Sequence, residues 1–341
     1  MKRTLGQILK IVAFLALGVL LLYFAFRGVA FDELAQTLNR VNFWWIGLSL
    51  LFAAISFFSR ARRWILLIEP LGFKPSFRNT YHSLMIGYLS NYALPRLGEL
   101  TRCVTLGKRE KIPVDSLIGT VIVERLIDLV MLLLIMLILL FSWMEKFGTF
   151  FKNQVYAPME EKFIEVFGGA WVFWLILCAF LVIVSGLIYF FRKILVRFPL
   201  IRKIKDILTG VVSGLKTIYR MKRKWEFLLH SVLIWFLYIL MTWVVVFSLE
   251  ELSGLTFVDG MFLLVIGGLG MSAPVTAGFG AYHWITSRGL MVVYDFSLET
   301  GSAYAILAHE SNSLLTIVLG ALSYTLLMTS RKKRIQTKSP S

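Results

Sequence analysis

Charged side chains occur inside one of the most apolar stretches of this sequence. In the run that begins near Leu117, Glu124 and Asp128 are four residues apart and share one helical face, with Arg125 between them. A charge at bilayer depth costs about 2.5–3.5 kcal/mol even on the mildest insertion scale, so these groups need partners or water. Arginine can bind an anion there, and a carboxylate can orient the arginine or carry a proton.

A second charged group occupies the segment NYALPRLGELTR, residues 91–102, which follows the apolar run 83–89. Proline and glycine interrupt the helical pattern at this point. The candidate binding residues of the segment are Asn91, Pro95, Arg96, Gly98, Glu99 and Arg102.

Two compatible interpretations of these charges stay open. They can form ion pairs that hold the 91–102 segment against Glu124, Arg125 and Asp128. They can also line a hydrated cavity that receives an anionic head group. The interrupted backbone favours the cavity, because ion pairing alone does not require a break.

The second half of the chain has a comparable region, 258–285, which contains IGGLGMSAPVTAGFGAYHW. Its glycines permit sharp turns, and free amides at the end of a half-helix can face an anion. Packing between membrane helices is the alternative use of such glycines. The candidate residues here and in the last apolar run are Pro274, Gly278, Gly280, His283, His309 and Glu310.

The composition indicates which elements position these residues. The chain is 58% hydrophobic and only 16% charged, with a mean hydropathy of +0.75, which is too apolar for a soluble domain. Apolar runs recur at the length of about 20 residues that a bilayer requires. We therefore predict an all-α polytopic membrane protein with six full spans at 5–26, 43–59, 116–142, 170–191, 226–249 and 302–328.

Two further apolar regions, 80–95 and 258–285, are broken and are interpreted as re-entrant or discontinuous helices. A hairpin is favoured for 80–95, whereas 258–285 is long enough to be one kinked span. The order helix, helix, broken hairpin, helix then occurs in 5–142 and again in 170–328. This order predicts an inverted repeat with a binding site between its halves near the midplane.

The basic residues predict the orientation in the membrane. Most of the 36 lysines and arginines fall on one side if both termini are cytoplasmic, including RARR at 60–63 and the tail at 331–341. The basic segment 192–225 is either an amphipathic helix on anionic lipid or an ordinary positive-inside loop. We therefore attribute the net charge of +16 to a multi-pass protein of the plasma (inner) membrane and expect no nucleic acid partner.

Catalytic and metal-binding patterns are not recognisable in the sequence. It has no nucleophile elbow, P-loop or HExxH, and the glycines lack the strand context of a dinucleotide site. His82 and His230 are interpreted as packing residues, and the two cysteines have no metal spacing. The sequence thus predicts neither an enzyme nor a cofactor or metal site.

The segments NYALPRLGELTR, ERLIDLV at 124–130, RARRWILLI at 60–68 and APVTAGFGAYHW at 273–284 resemble one family. It is the transmembrane, flippase-like region of lysylphosphatidylglycerol synthases and its stand-alone relatives. The family's first motif is roughly Asn-x-x-Leu-Pro-x-Arg-x-Gly-Glu-x-x-Arg, and its second contains Glu-Arg-x-x-Asp. The matching positions are Asn91, Leu94, Pro95, Gly98, Glu99, Arg102, Glu124, Arg125 and Asp128, with one arginine displaced to Arg96.

The third motif departs from the family. Its usual form is Pro-Gly-Gly-x-Gly with a glutamate three residues on, whereas this chain has Ala277 in the glycine pair and His283 at the glutamate position. Glu310 is the candidate to replace that carboxylate. The chain ends without the soluble aminoacyl transferase domain of the synthases, so we do not expect it to aminoacylate lipid.

The resemblance implies movement of an anionic phospholipid, or another lipid-linked anion, between leaflets. Anionic membrane lipids are then the expected partners, and the oligomeric state is left open. A small-anion transporter is one alternative. A non-transporting scaffold that organises enzymes of envelope lipid or polysaccharide synthesis is the other.

Overall fold

The computed structural model describes residues 16, 18–93, 97–143, 221–273 and 275–336. Across these ranges the regular elements are helices, with no strand among them. After helical residues 18–26, the α-helices are α1 (Phe31–Asn39), α2 (Phe43–Ile68), α3 (Phe77–Ala93), α4 (Leu97–Glu110), α5 (Val114–Ser142), α6 (Lys224–Trp243), α7 (Phe257–Ser272), α8 (Ala281–Tyr294) and α9 (Leu298–Gln336).

Four segments within the described ranges are long and apolar enough to cross a membrane, and they confirm a polytopic helical membrane protein. They are Phe43–Leu71, Val114–Ser142, Lys224–Ser248 and Leu298–Leu327. These correspond to the predicted spans 43–59, 116–142, 226–249 and 302–328. The span 170–191, most of 5–26 and nearly all of 192–225 lie outside the described residues, so the six-span count and the inverted repeat stay predictions.

The helix α2 is longer than the sequence indicated. It continues through the basic residues 60–63 to Ile68 and is followed by a short turn that ends at Gly72, where φ is 87°. Arg60 and Arg63 are therefore helical and buried, although the sequence places them in a cytoplasmic loop. Hydropathy alone cannot show that such a helix continues, because an arginine has the same hydropathy value whether it is paired inside a helix bundle or exposed in a loop.

The first broken region is an antiparallel helical hairpin of α3 and α4. Asn91 lies against Gly98, Gly87 lies against Arg102, and Asn79 bonds Glu110 at the open end. Its arms of 17 and 14 residues are shorter than the roughly 20 that a full span needs, which suits the predicted re-entrant hairpin. The hairpin extends well beyond residue 95, since the second arm is too polar to be recognised by hydropathy.

The two arms approach backbone to backbone. The amide of Gly98 donates to Asn91 Oδ1 at 2.7 Å, and a Cβ on Gly87 would lie 2.7 Å from the carbonyl oxygen of Gly98. Real Cβ atoms do not come so close, so both positions require glycine. This contact sets the position of Arg102, one turn further along α4.

The second broken region is also a hairpin, formed by α7 and α8, rather than one kinked span. Asp259 near the start of α7 accepts a 2.7 Å hydrogen bond from the Tyr294 hydroxyl at the end of α8. Gly270 lies against Tyr282 near the turn. In the turn, Ala277 has φ 49° and is followed by left-handed glycines at 278 and 280, a conformation that is strained for alanine.

The last helix, α9, packs against both hairpins. Against α3 it runs antiparallel, with His82 Nδ1 3.0 Å from Ser323 Oγ and Gly320 against the backbone of Met85. Two further turns in this register bring the end of α3 level with Ser313, about one turn from Glu310. The turn of the second hairpin also contacts α3, and its Ala277 carbonyl accepts a hydrogen bond from His309 of α9. The end of α3 and the turn of the second hairpin thus lie near the same part of α9.

The described residues fall into two compact units. The first is built from the described parts of 1–132 and 218–341 and contains both hairpins. Its largest apolar core includes Val246, Leu252, Leu263 and Tyr304. The second unit is described only at 133–143, the end of α5 and the residue after it.

Glu110 links the two arms of the first hairpin at its open end, and the pKa of its carboxyl group is shifted by this contact. Burial raises its pKa, but hydrogen bonds from the Asn79 side chain and from the Ser76 hydroxyl and amide outweigh burial and hold the pKa below its ordinary 4.5. A carboxylate with a lowered native pKa stabilises the fold above its unfolded pKa and loses that contribution as the pH falls through the native value.

We expect Glu110→Gln to unfold more easily than the wild type at about pH 6, by under about 1 kcal/mol because the site is partly exposed. The difference should shrink as the pH is lowered below about 4.5, where the wild-type carboxylate becomes protonated. Thermal unfolding in detergent at a series of pH values measures it. A difference that is independent of pH would contradict the assignment.

Candidate functional site

Glu124 is the centre of a buried cluster of ionic side chains in the first unit. Its Oε1 accepts hydrogen bonds from Arg60 at 2.8 Å and from Arg63 at 3.2 Å, and its Oε2 accepts one from Arg102 at 2.9 Å. Asp128, one turn further along α5, lies 2.8 Å from Arg63. The carboxylates of α5 thus join α2 to the second arm of the first hairpin.

Aromatic side chains hold the buried arginines in place. The Arg102 guanidinium lies 4.7 Å from the centre of the Trp64 ring, whose own N–H donates to Thr120 at 2.9 Å. Arg60 donates to the Tyr238 hydroxyl at 2.7 Å and lies 5.4 Å from the ring of Tyr88. Stacking on aromatic faces suits a guanidinium better than an ammonium group, so lysine would not replace these arginines.

Several guanidinium nitrogens in this cluster are buried without a hydrogen-bond acceptor among the described residues. They are Nε of Arg60, and Nε and Nη1 of both Arg63 and Arg102. A buried unpaired donor costs about 1–3 kcal/mol. The arginines therefore retain capacity to bind an anion or water.

A half-exposed ion pair adjoins the buried cluster. Arg125 Nε donates to Glu99 Oε1 at 2.7 Å, and the two side chains are 45% and 42% exposed. Arg125 Nη1 also lies 3.7 Å from Asp128, so this outer pair is electrostatically continuous with the buried one.

The ionic groups of the cluster do not balance. Four arginines, at 60, 63, 102 and 125, face three carboxylates, at 99, 124 and 128, in the described part of the chain. One positive charge is left over. Its neutralisation by an anion would stabilise the cluster, because an uncompensated charge in a low-dielectric region is costly.

A second polar cluster lies where α8 meets α9. Glu310 Oε1 is 2.9 Å from Nδ1 of His309 and 3.2 Å from Nε2 of His283. His309 Nε2 donates to the carbonyl oxygen of Ala277, in the strained turn, at 2.9 Å. Glu310 thus places a carboxylate next to His283. Position 283 is the one at which the third motif described above usually has a glutamate.

The structure brings most of the candidate residues together in two groups. Glu99, Arg102, Glu124, Arg125 and Asp128 form the first, with Asn91 and Gly98 fixing the hairpin beside it. The second contains His283, His309 and Glu310, with Gly278 and Gly280 in the adjoining turn. Pro95, Arg96 and Pro274 lie outside the described residues.

The inner and outer parts of the first group correspond to different interpretations. Arg102 and Glu124 are buried and paired, as the ion-pair interpretation predicts, whereas Glu99 and Arg125 reach the surface. Arg60 and Arg63 also belong to the group, although the sequence did not identify them as candidates. Their spacing of three places them on one helical face that complements the pair Glu124 and Asp128, and this is the signal that could have identified them.

Together, these features define a helical membrane protein with an arginine-rich ionic cluster beside a broken hairpin. The model of the family "Lysylphosphatidylglycerol synthase TM region" matches residues 8–320. The chain belongs to this family.

One similar protein is the "UPF0104 membrane protein MJ1595" of Methanocaldococcus jannaschii. It is 21% identical to this chain over 348 residues, which cover 96% of each protein. No solved structure matches the chain. The relative's description supports a membrane protein and specifies no substrate.

Proposed function

We propose that this protein moves an anionic phospholipid, or another lipid-linked anion, between the leaflets of the plasma (inner) membrane, with both termini in the cytoplasm. The observation that carries this proposal is the excess of arginine over carboxylate beside a half-exposed arginine. The phosphate of a lipid head group would supply the missing negative charge. The acyl chains would stay in the bilayer, so only the head group needs a polar route.

Arg125 is the first contact for the head group, because it is the exposed arginine of the cluster. The phosphate competes with Glu99 for the Arg125 guanidinium, and the ion pair between Arg125 and Glu99 forms again when the phosphate leaves. Arg60, Arg63 and Arg102 lie behind and provide positive potential and unpaired donors. A charge-assisted hydrogen bond of this kind contributes about 1.5–3 kcal/mol.

The experiment measures leaflet exchange of fluorescent phosphatidylglycerol in vesicles that contain the purified protein. Loss of one charge-assisted bond corresponds to a roughly 10- to 100-fold effect, and we expect Arg125→Ala to slow exchange by about this factor. The matched control is Arg223→Ala, since Arg223 is similarly exposed, at 47%, and pairs with Glu226 and Glu69, which lie outside the cluster. It should exchange lipid at the wild-type rate.

Two results would contradict this proposal. Exchange that is the same for Arg125→Ala and wild type would remove the head-group role of the cluster. A folded wild-type protein without exchange would favour the scaffold, in which the buried ion pairs are structural and the partners are envelope-synthesis enzymes.

A further inference from the structure

The cluster of His283, His309 and Glu310 has the geometry of a metal site. One nitrogen of each histidine and one carboxylate oxygen lie within 4.8 Å of one another. Two of the ligands are adjacent on α9 and the third comes from α8, so the site would connect the second hairpin to the last helix. Sequence spacing did not predict a metal site here, because the histidines are 26 residues apart.

The hydrogen bond of His309 determines which of its nitrogens is available. Nε2 lies 2.9 Å from the Ala277 carbonyl oxygen, which only accepts, so Nε2 carries the proton. In a neutral imidazole Nδ1 then presents its lone pair. This arrangement, with one ring nitrogen donating to a carbonyl and the other free, is typical of histidines that ligate metals.

The free nitrogen faces an atom that also lacks a proton. Nδ1 of His309 is 2.9 Å from Glu310 Oε1, and a carboxylate oxygen is an acceptor. Two lone pairs at this separation repel unless a proton or a metal ion lies between them, so this position is occupied by one or the other. His283 Nδ1 has no hydrogen-bond partner among the described residues, so no such bond commits its Nε2 to being a donor.

The two separations between the histidine nitrogens and Glu310 Oε1 fit a transition-metal ion. Separations of 2.9 and 3.2 Å with an ion about 2.0–2.1 Å from each atom give ligand–metal–ligand angles of about 90–100°. These angles lie between octahedral and tetrahedral values. The nitrogen and oxygen ligands favour zinc and its neighbours over magnesium or calcium, which prefer oxygen alone.

The surroundings restrict the two imidazole rings and leave one side open. Both histidine side chains are 4% exposed, whereas Glu310 is 41% exposed. Rings of Phe279 and Tyr282 lie 5.2 and 5.0 Å from that of His309. An ion would therefore enter past Glu310 and reach two fixed nitrogens.

We propose that His283 Nε2, His309 Nδ1 and a Glu310 carboxylate oxygen bind one divalent transition-metal ion, with zinc as the first candidate. Three protein ligands leave at least one coordination position for water or another oxygen ligand, as in open zinc sites. This inference goes beyond the transport proposal and does not depend on it. Ala277 acquires a role as well, since its strained conformation directs the carbonyl that fixes His309.

The experiment uses full-length protein in detergent, stripped with chelator, reloaded with Zn²⁺ and desalted. Metal analysis by mass spectrometry should find one zinc per chain in the wild type. Substitution of residues that only support metal ligands weakens metal binding by up to about 100-fold. Because Glu310→Gln and His309→Ala change the ligands themselves, we expect them to weaken zinc binding by more than about 100-fold. Bound zinc should also raise the thermal unfolding temperature of the wild type and not of these variants.

His82→Ala is the matched control, because His82 bonds Ser323 on the same helix α9 but lies outside the cluster. It should keep the zinc. If a variant elutes as aggregate, the wild-type site can be tested with Co²⁺, whose visible absorption reports the coordination geometry of a bound ion. Wild-type protein without zinc or a cobalt spectrum would overturn the proposal, and so would folded Glu310→Gln that retains zinc as tightly as the wild type.

Discussion

Replacing Glu124 by alanine is expected to destabilise the protein severely. Three buried arginines would lose their shared acceptor at once. Removing one partner of a buried ion pair costs about 3–5 kcal/mol, because it leaves an uncompensated charge. Thermal unfolding of the purified protein in detergent measures the change, and a large fall in folded yield is the expected accompanying result.

Glu226→Ala provides the comparison for Glu124→Ala. Glu226 pairs with Arg62 at 2.8 Å, but both side chains are more than a quarter exposed, and such pairs contribute about 0–1 kcal/mol. A Glu124→Ala protein as stable as Glu226→Ala would show that the buried cluster contributes nothing to folding.

The second large effect is expected at the contact between the arms of the first hairpin. In Gly98→Ala the new methyl group would overlap the Gly87 carbonyl oxygen and lie 2.7 Å from Asn91 Oδ1. The arms would have to separate, at a cost of about 1–3 kcal/mol or more. Thermal unfolding measures the loss, and the proposed lipid exchange should slow as well, because Arg102 follows one turn later.

Gly119→Ala is the control for the glycine substitution. A Cβ at Gly119 in α5 would meet nothing within 4 Å, so alanine should be neutral or stabilise the helix by up to about 1 kcal/mol. Equal destabilisation by both substitutions would indicate a general effect of alanine and contradict the close approach at Gly98.

Much of the fold could be predicted because hydrocarbon-length apolar runs leave few alternatives. The runs around α5 and α6 were placed to within a few residues, and both broken regions were recognised from proline and glycine. The second arm of the first hairpin was not recognised. It carries charges at nearly every turn, and these become compatible with a membrane helix only through partners on other helices.

The same limitation explains the two missed arginines. In the sequence, Arg60 and Arg63 resemble part of a positively charged cytoplasmic loop. Their partner Glu124 is more than 60 residues away in the chain, so the sequence does not reveal the pairing. Likewise, His309 and Glu310 were identified by depth, but their convergence with His283 depends on the hairpin turn. Contacts between distant helices are a property of the packing, which periodicity does not encode.

The glycine contact at positions 87 and 98 has a mechanical consequence. At these glycines the backbones of the two arms touch directly, without side chains between them, so the arms cannot slide past each other or separate easily. A force on one arm is transmitted to the other, so if the hairpin moves, its two arms move as one unit. Arg102 belongs to the hairpin and Glu124 to a different helix, α5. Any movement of the hairpin relative to α5 therefore has to lengthen or replace this ion pair.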